Sequence, residues 1–195
     1  NILNYVDFLR GHIGDLPEPL ARAVLIVVSG LPGTGKSYFS KRMASRIPLA
    51  IVETDLMRKV LFSVPTYSHS ESARLFRLCH ALIEDLLSNG IPVLFDATNL
   101  VEGNRERLYS IAYKTGAKLI LVRVEAPLAV VSRRLQKRES GYSAGDNSTA
   151  GHAVYRKMVS SVEPIRRNHF AVDTSRDISP VIDKVVREIN KWVRD

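Results

Sequence analysis

Eight consecutive residues, Gly30-Leu31-Pro32-Gly33-Thr34-Gly35-Lys36-Ser37, carry the spacing G-x-x-x-x-G-K-[ST]. Glycines let a backbone curl until its N–H groups converge on phosphate oxygens. A helix starting at the end of the loop adds the positive end of its dipole. The loop is therefore expected to hold a nucleoside triphosphate. Lys36 should reach the β- and γ-phosphates, and the Ser37 hydroxyl should ligate Mg²⁺. The remaining loop positions, Gly30, Leu31, Pro32, Gly33, Thr34 and Gly35, are expected to contact nucleotide through their backbone.

Two carboxylates could complete the chemistry. Asp96 closes the apolar run Val93-Leu94-Phe95, where an acid can orient magnesium directly or through water. The next residue is Ala97 rather than a glutamate that would activate water, which counts against a dedicated hydrolase. No Asn-Lys-x-Asp guanine signature occurs, so ATP is expected over GTP. Asp55 follows the apolar segment 49–53 and is the candidate general base, able to take the proton of an attacking hydroxyl. Arg58, three residues on, shares a helical face with it and could hold the acceptor or the transferred phosphoryl group. Arg134 and Arg138 lie one helical turn apart, and their guanidinium forks suit phosphoryl oxygens. The polar, glycine-rich stretch 141–149 beyond them reads as a mobile hinge, giving an Arg-bearing lid at about 134–150.

These residues need a scaffold that brings distant segments to one edge. Apolar, strand-like runs at 23–29, 49–53, 92–96, 118–124 and 170–173 alternate with helical patterns at 36–46, 70–89, 102–115, 127–138, 150–162 and 180–193. In 70–89 the residues Leu75, Leu78, Cys79, Leu82, Ile83, Leu86 and Leu87 mark one helical face. Such alternation predicts an α/β fold, a parallel sheet with helices on both faces. Ligands then bind beyond the carboxyl ends of the strands, which places Asp55 by the phosphate loop. Residues 1–22 read as an N-terminal helical arm with a turn-rich linker, and 23–195 as the single main domain.

Composition agrees with a soluble globular domain: 195 residues, 45% hydrophobic and 25% charged. The formal net charge of +8 favours an anionic partner, a nucleotide, a nucleic acid or a phosphorylated metabolite. A single cysteine, Cys79, excludes an internal disulfide and suits a reducing, cytoplasmic setting. It lies on an apolar face and is expected to be buried and inert. No segment has the length to span a bilayer. The five histidines show no metal-ligand spacing, the sequon at Asn147 is given no role, and Trp192 is expected to anchor the last helix. The chain opens on Asn1 rather than Met, so a piece of a larger protein is one reading.

With these residues in hand, the chain resembles the small P-loop kinases related to polynucleotide 5′-hydroxyl kinases, zeta toxins and gluconate- or chloramphenicol-type phosphotransferases. The resemblance runs from about 23 to 175. It implies a three-layer fold with a five-stranded parallel core and ATP as donor. Asp55-x-x-Arg58 resembles the acceptor-site acid and arginine of the polynucleotide kinases, and Asp96-Ala97-Thr98-Asn99, with Arg105 downstream, their strand-three segment. Thr98, Asn99 and Arg105 are thereby implied to bind the acceptor, and Thr174 to lie where related folds pass the adenine. Ser148-Thr149-Ala150, Tyr155 and Glu163-Pro164 resemble a further stretch, in which Thr149 replaces an acid. The expected activity is ATP- and Mg²⁺-dependent transfer of the γ-phosphate to a hydroxyl of a small molecule. A nucleic acid 5′-hydroxyl end is the alternative acceptor. A nucleotide-binding regulatory or NTPase module of a larger protein is the alternative to a kinase. The sequence leaves oligomeric state open.

Overall fold

Continuous β-branched runs bury both faces, and such strands belong in the middle of a parallel sheet. The computed structural model describes residues 2–141 and 151–195. Its elements run α1 Ile2–Arg10, β1 Val24–Ser29, α2 Lys36–Ala44, β2 Ala50–Glu53, α3 Thr54–Leu61, α4 His69–Ser88, β3 Val93–Asp96, α5 Glu102–Thr115, β4 Lys118–Glu125, α6 Leu128–Glu139, α7 His152–Val159, β5 Phe170–Asp173 and α8 Ser179–Arg194. The five strands form one sheet in the order β2-β3-β1-β4-β5, every pairing parallel. This is the five-stranded P-loop kinase architecture.

All six residues of β1 are buried, and their alternation divides the core. Leu25 and Val27 join Val52, Phe95 and the apolar face of α4 on one side. Val24, Ile26 and Val28 join Phe39 and Met43 of α2 and Ile182, Val185 and Ile189 of α8 on the other. Burying each such side chain is worth roughly 1.5–3 kcal/mol, so the sheet is held from both faces.

The register sets the functional edge. Val28 pairs with Asp96, and Asp96 with Glu53. The phosphate loop after β1, the carboxylate of Asp96 and the start of α3 therefore emerge side by side. β1 lies between β3 and β4, so connections leave it in opposite directions and open a crevice at this edge.

The N-terminal helix is fastened to the domain. Val6 and Leu9 are buried in the larger core cluster, Arg10 pairs with Asp85, and Arg74 Nη2 donates to the Tyr5 hydroxyl at 2.8 Å. Trp192 anchors α8 as expected: its Nε1 donates to the Ala23 carbonyl at 3.0 Å, and Arg22 stacks on its ring. Cys79 has no exposure, and burial pushes its thiol up to about 12. No helix among the described residues is long and apolar enough to cross a membrane. Residues 142–150, which hold the glycine-rich part of the expected lid, the sequon and Ser148-Thr149-Ala150, lie outside the described residues.

Candidate active site

The phosphate loop is set by contacts that admit only glycine. Gly35 sits at φ 94°, in the left-handed region, and a Cβ there would lie 2.7 Å from Thr174 Oγ1. A Cβ on Gly30 would lie 2.6 Å from the Val124 carbonyl. Gly30 N–H donates to the Thr98 carbonyl at 2.9 Å, and Ser29 Oγ donates to the Thr98 and Asn99 carbonyls at 3.1 Å. The Lys36 ammonium, at the first position of α2, donates to the Leu31 carbonyl at 3.1 Å. Such a loop leading into a helix is a ready anion cradle.

Behind the loop, Asp96 is 4% exposed and accepts from the Ser37 and Ser40 hydroxyls, each at 3.2 Å. Ser40 carried no expectation, yet it stands three residues beyond Ser37, on the same face of α2. Burial pushes the Asp96 carboxyl above its ordinary value. Lys36 and the two hydroxyls pull it back, while neighbouring Asp55 adds to the rise. A carboxylate costly to ionise, beside hydroxyl oxygens, is a hard donor set fitting Mg²⁺. Ser37 and Asp96 would hold that ion.

A cleft of about 480 Å³ opens beside the loop. Pro32 and Lys36 line it together with Asp55, Arg58 and Thr98. Asp55 lies in the first turn of α3, one residue past the start of the helix, while Glu53 holds the capping position. Asp55 thus faces the cleft beside the lysine that would grip the phosphates.

Arg58 is nearly buried and is not a free claw. Its guanidinium pairs with Glu71 of α4, and Nη2 donates to Ser72 Oγ at 3.4 Å. Its face stacks on the Tyr67 ring, 4.5 Å from the centroid. Glu71 also accepts from Thr66 N–H at 2.6 Å, the Thr66 hydroxyl at 2.7 Å and Tyr67 N–H at 3.2 Å. Burial works to raise the Glu71 carboxyl, but the Thr66 bonds and Arg58 outweigh it and hold it at about 2. The pair fixes the 62–68 segment as one wall of the cleft, with Tyr67 in the left-handed region at φ 54°. A signal for Glu71 was present: Ser68-x-x-Glu71 is a capping-box spacing, and Ser68 Oγ accepts from Glu71 N–H at 3.2 Å.

Of the three residues implied for the acceptor after β3, only Thr98 lines the cleft. Asn99 has no exposure and φ 46°, and its Nδ2 donates to the Val28 carbonyl at 2.7 Å. Arg105 corrects its expectation outright. It is 1% exposed and spends its fork on Glu102, the Asn99 carbonyl at 2.8 Å and the Glu163 and Pro164 carbonyls at 2.9 and 3.1 Å. It ties α5 to the loop behind the site and has no surface to offer an acceptor.

Arg134 and Thr174 also work from behind. Thr174 is 7% exposed, and its hydroxyl donates to the Thr34 carbonyl. Arg134 Nη1 donates to that hydroxyl at 2.8 Å and to the Gly33 carbonyl at 3.3 Å, while Nη2 donates to the Thr174 carbonyl at 3.1 Å. Burial, with Arg138 and Arg133 nearby, lowers the Arg134 guanidinium below its ordinary value, against the pull of Asp173. Arg134 is docked on the loop, and Arg138 follows one turn along α6, half-buried. Arg107 of α5 and Lys157 of α7, which carried no expectation, line the same cleft. The spacing Val101-x-x-Asn104-x-x-Arg107, one stripe of a helix starting at the site, was the available signal.

Comparison with known proteins follows the same outline. The family described as an AAA domain matches residues 25–165. The L-seryl-tRNA(Sec) kinase of Methanococcus maripaludis is 33% identical over 116 residues, covering 57% of this chain and 44% of the relative. The chain thus spans less than half the length of that curated relative. A protein from Chloroflexus aurantiacus superposes with TM-score 0.70 at 19% identity, covering 87% of this chain and 97% of the other. The APS kinase of Mycobacterium tuberculosis, solved with AMPPNP and APS, superposes with TM-score 0.68 at 18% identity, covering 89% and 99%. At those identities the two structures show the shared fold. The strand order and the phosphate loop give the P-loop kinase fold, and a family match spanning most of the sequence shows that the chain belongs to the AAA-domain family.

Proposed function

We propose that this protein is an ATP-dependent kinase that moves the γ-phosphate onto a hydroxyl of a small acceptor. The observation that carries the reading is the single cleft in which Lys36 and Pro32 of the phosphate loop face Asp55. In this reading residues 23–195 form the catalytic domain, with residues 1–22 as its helical arm and 134–150 as its lid. Gly30 to Ser37 cradle the triphosphate, and Lys36 offsets charge on the β- and γ-phosphates. Mg²⁺ at Ser37 and Asp96 would supply further neutralisation of the developing phosphoryl charge. Asp55 accepts the proton of the acceptor hydroxyl as its oxygen attacks. Arg58 and Thr98 shape the acceptor wall. Asn99 and Arg105 hold the loop behind it, and Arg134 and Thr174 brace the phosphate loop. Arg138, one turn beyond Arg134 on α6, belongs to the same lid.

A second reading is a hydroxyl carried on nucleic acid. It is favoured by the similarity to a kinase of L-seryl-tRNA(Sec) and by the net charge of +8. A panel of small alcohols, 5′-hydroxyl oligonucleotides and seryl-tRNA, assayed with labelled ATP, separates the two. Asp55→Asn should lower kcat by about 10²–10⁴-fold while keeping Mg·ATP affinity, because only the proton acceptor is lost. If Asp55→Asn transfers phosphate at the native rate, Asp55 is not the base.

A further inference from the structure

The cleft beside the phosphate loop is charged in a way that catalysis of transfer does not require. Among the described lining residues Asp55 is the only carboxylate, and it shares the cleft with Lys36. The charge of Arg58 is already met by Glu71. That leaves Arg107 and Lys157, which line the same cleft from α5 and α7. Both are exposed, so they stand at the rim. Neither forms an ion pair or a hydrogen bond among the described residues. Asn104 precedes Arg107 by one turn on the same stripe of α5 and adds an amide to this side. The lining of the cleft also includes the apolar side chains of Phe76, Leu100 and Met158.

Two cations on one rim repel each other, and an anion between them relieves that repulsion. A neutral polyol would leave both charges unmet and would gain little from the apolar side chains. Resting on the kinase reading above, we infer that the acceptor carries a phosphate group of its own, held by Arg107 and Lys157, with its carbon skeleton along Phe76, Leu100 and Met158 and its hydroxyl at Asp55. A phosphate matches this pair better than a carboxylate because it offers more charge and a third oxygen, and guanidinium forks grip phosphate through paired bonds. The volume of about 480 Å³ fits a phosphorylated small molecule of nucleotide size or less. A terminal phosphate of a nucleic acid strand carries the same chemistry.

The test separates this subsite from the kinase reading. The protein is first saturated with Mg·AMPPNP so that the phosphate loop is filled, and inorganic phosphate is titrated by ³¹P NMR. Binding is expected in the native protein. It should weaken by about tenfold or more in Arg107→Gln/Lys157→Gln, since each charge-assisted hydrogen bond is worth roughly a factor of ten. Both positions are exposed, and AMPPNP affinity serves as the check on folding. Transfer is then scored as acceptor-dependent ADP release over sugars and nucleosides, each paired with its monophosphate, and over 5′-hydroxyl oligonucleotides with and without a 3′-phosphate. The monophosphates should be preferred through a lower KM, and the double variant should erase the preference while leaving kcat close to native. Oligonucleotides exceeding every monophosphate would identify a strand as the source of the phosphate. Phosphate binding with no transfer to any acceptor would sink the kinase reading and keep the anion subsite. Absence of phosphate binding to the AMPPNP-loaded protein, or equal use of parent and monophosphate, would overturn the subsite and leave the kinase reading standing.

Discussion

Replacing Thr174 by valine tests whether this residue touches nucleotide or braces the loop that does. The side chains have nearly the same shape, so the change removes one hydroxyl and little volume. That hydroxyl donates to the Thr34 carbonyl and accepts from Arg134 Nη1 at 2.8 Å, in a position 7% exposed. In Thr174→Val the Thr34 carbonyl loses this donor in a buried place, and Arg134 Nη1 keeps only the longer bond to Gly33 at 3.3 Å. Leaving one buried polar group unpaired costs about 1–3 kcal/mol. For a chain of this length each kcal/mol lowers Tm by about 2–4 °C, so a fall of about 4–8 °C is expected at the midpoint of that range. Mg·AMPPNP affinity should drop in parallel by less than about tenfold, because the loop loses order and not a phosphate ligand. Calorimetric unfolding with and without Mg·AMPPNP, followed by a double-mutant cycle with Arg134→Gln, measures both effects and the Thr174–Arg134 coupling. An unchanged Tm with AMPPNP affinity abolished would refute the bracing argument and place Thr174 against the nucleotide.

Three further expectations follow from buried charge and burial itself. Glu71→Gln leaves Arg58 buried without its counterion and should destabilise the protein by about 3–5 kcal/mol in urea unfolding, with acceptor KM rising as the 62–68 wall loosens; native stability would show that the pair carries no such strain. Asp96→Asn should raise the Tm of the ligand-free protein, because burial penalises the charged carboxylate, and at the same time weaken Mg·AMPPNP binding. For the native protein the sign is that a carboxyl raised above its unfolded value favours folding most at low pH and loses that contribution as pH climbs through its folded value; a lower Tm in Asp96→Asn would contradict it. His80 is nearly buried between Phe76 and Phe95, and burial, with Arg107 second, lowers its imidazole to about 4 from 6.5. The unfolded chain therefore binds the extra proton first, and about 3 kcal/mol of stability should disappear as pH falls from 6.5 to 4; His80→Leu should flatten that slope in urea titrations, and an unaltered slope would assign the acid loss elsewhere.

The sequence alone determined what local rules control. The phosphate loop is eight neighbouring residues, and its glycines, lysine and serine declare their geometry without the rest of the chain. The strands were legible because a strand buried on both faces must be apolar throughout, and α4 because its seven apolar residues share one stripe. From the alternation alone followed the parallel sheet, and from the sheet the edge at which Asp55, Asp96 and Gly30 emerge.

Tertiary structure decided where the charged side chains point and whom they meet. Arg58 and Arg105 look alike in sequence, each an arginine near the start of a helix behind a strand-end acid. One lines the cleft against Glu71, thirteen positions away, and the other is sealed under the Glu163–Pro164 turn, fifty-eight away. Thr174 reaches the phosphate loop across 140 positions because β5 lies beside β4 and its end falls beneath Gly35. Arg107 and Lys157 share a cleft only because α5 and α7 flank one crevice. Apolar periodicity fixes which face of an element turns inward, since burial is repaid by contact area and needs no particular partner. A guanidinium or carboxylate needs a partner at hydrogen-bond distance and angle, and the strand order and helix docking that set such distances belong to the assembled fold.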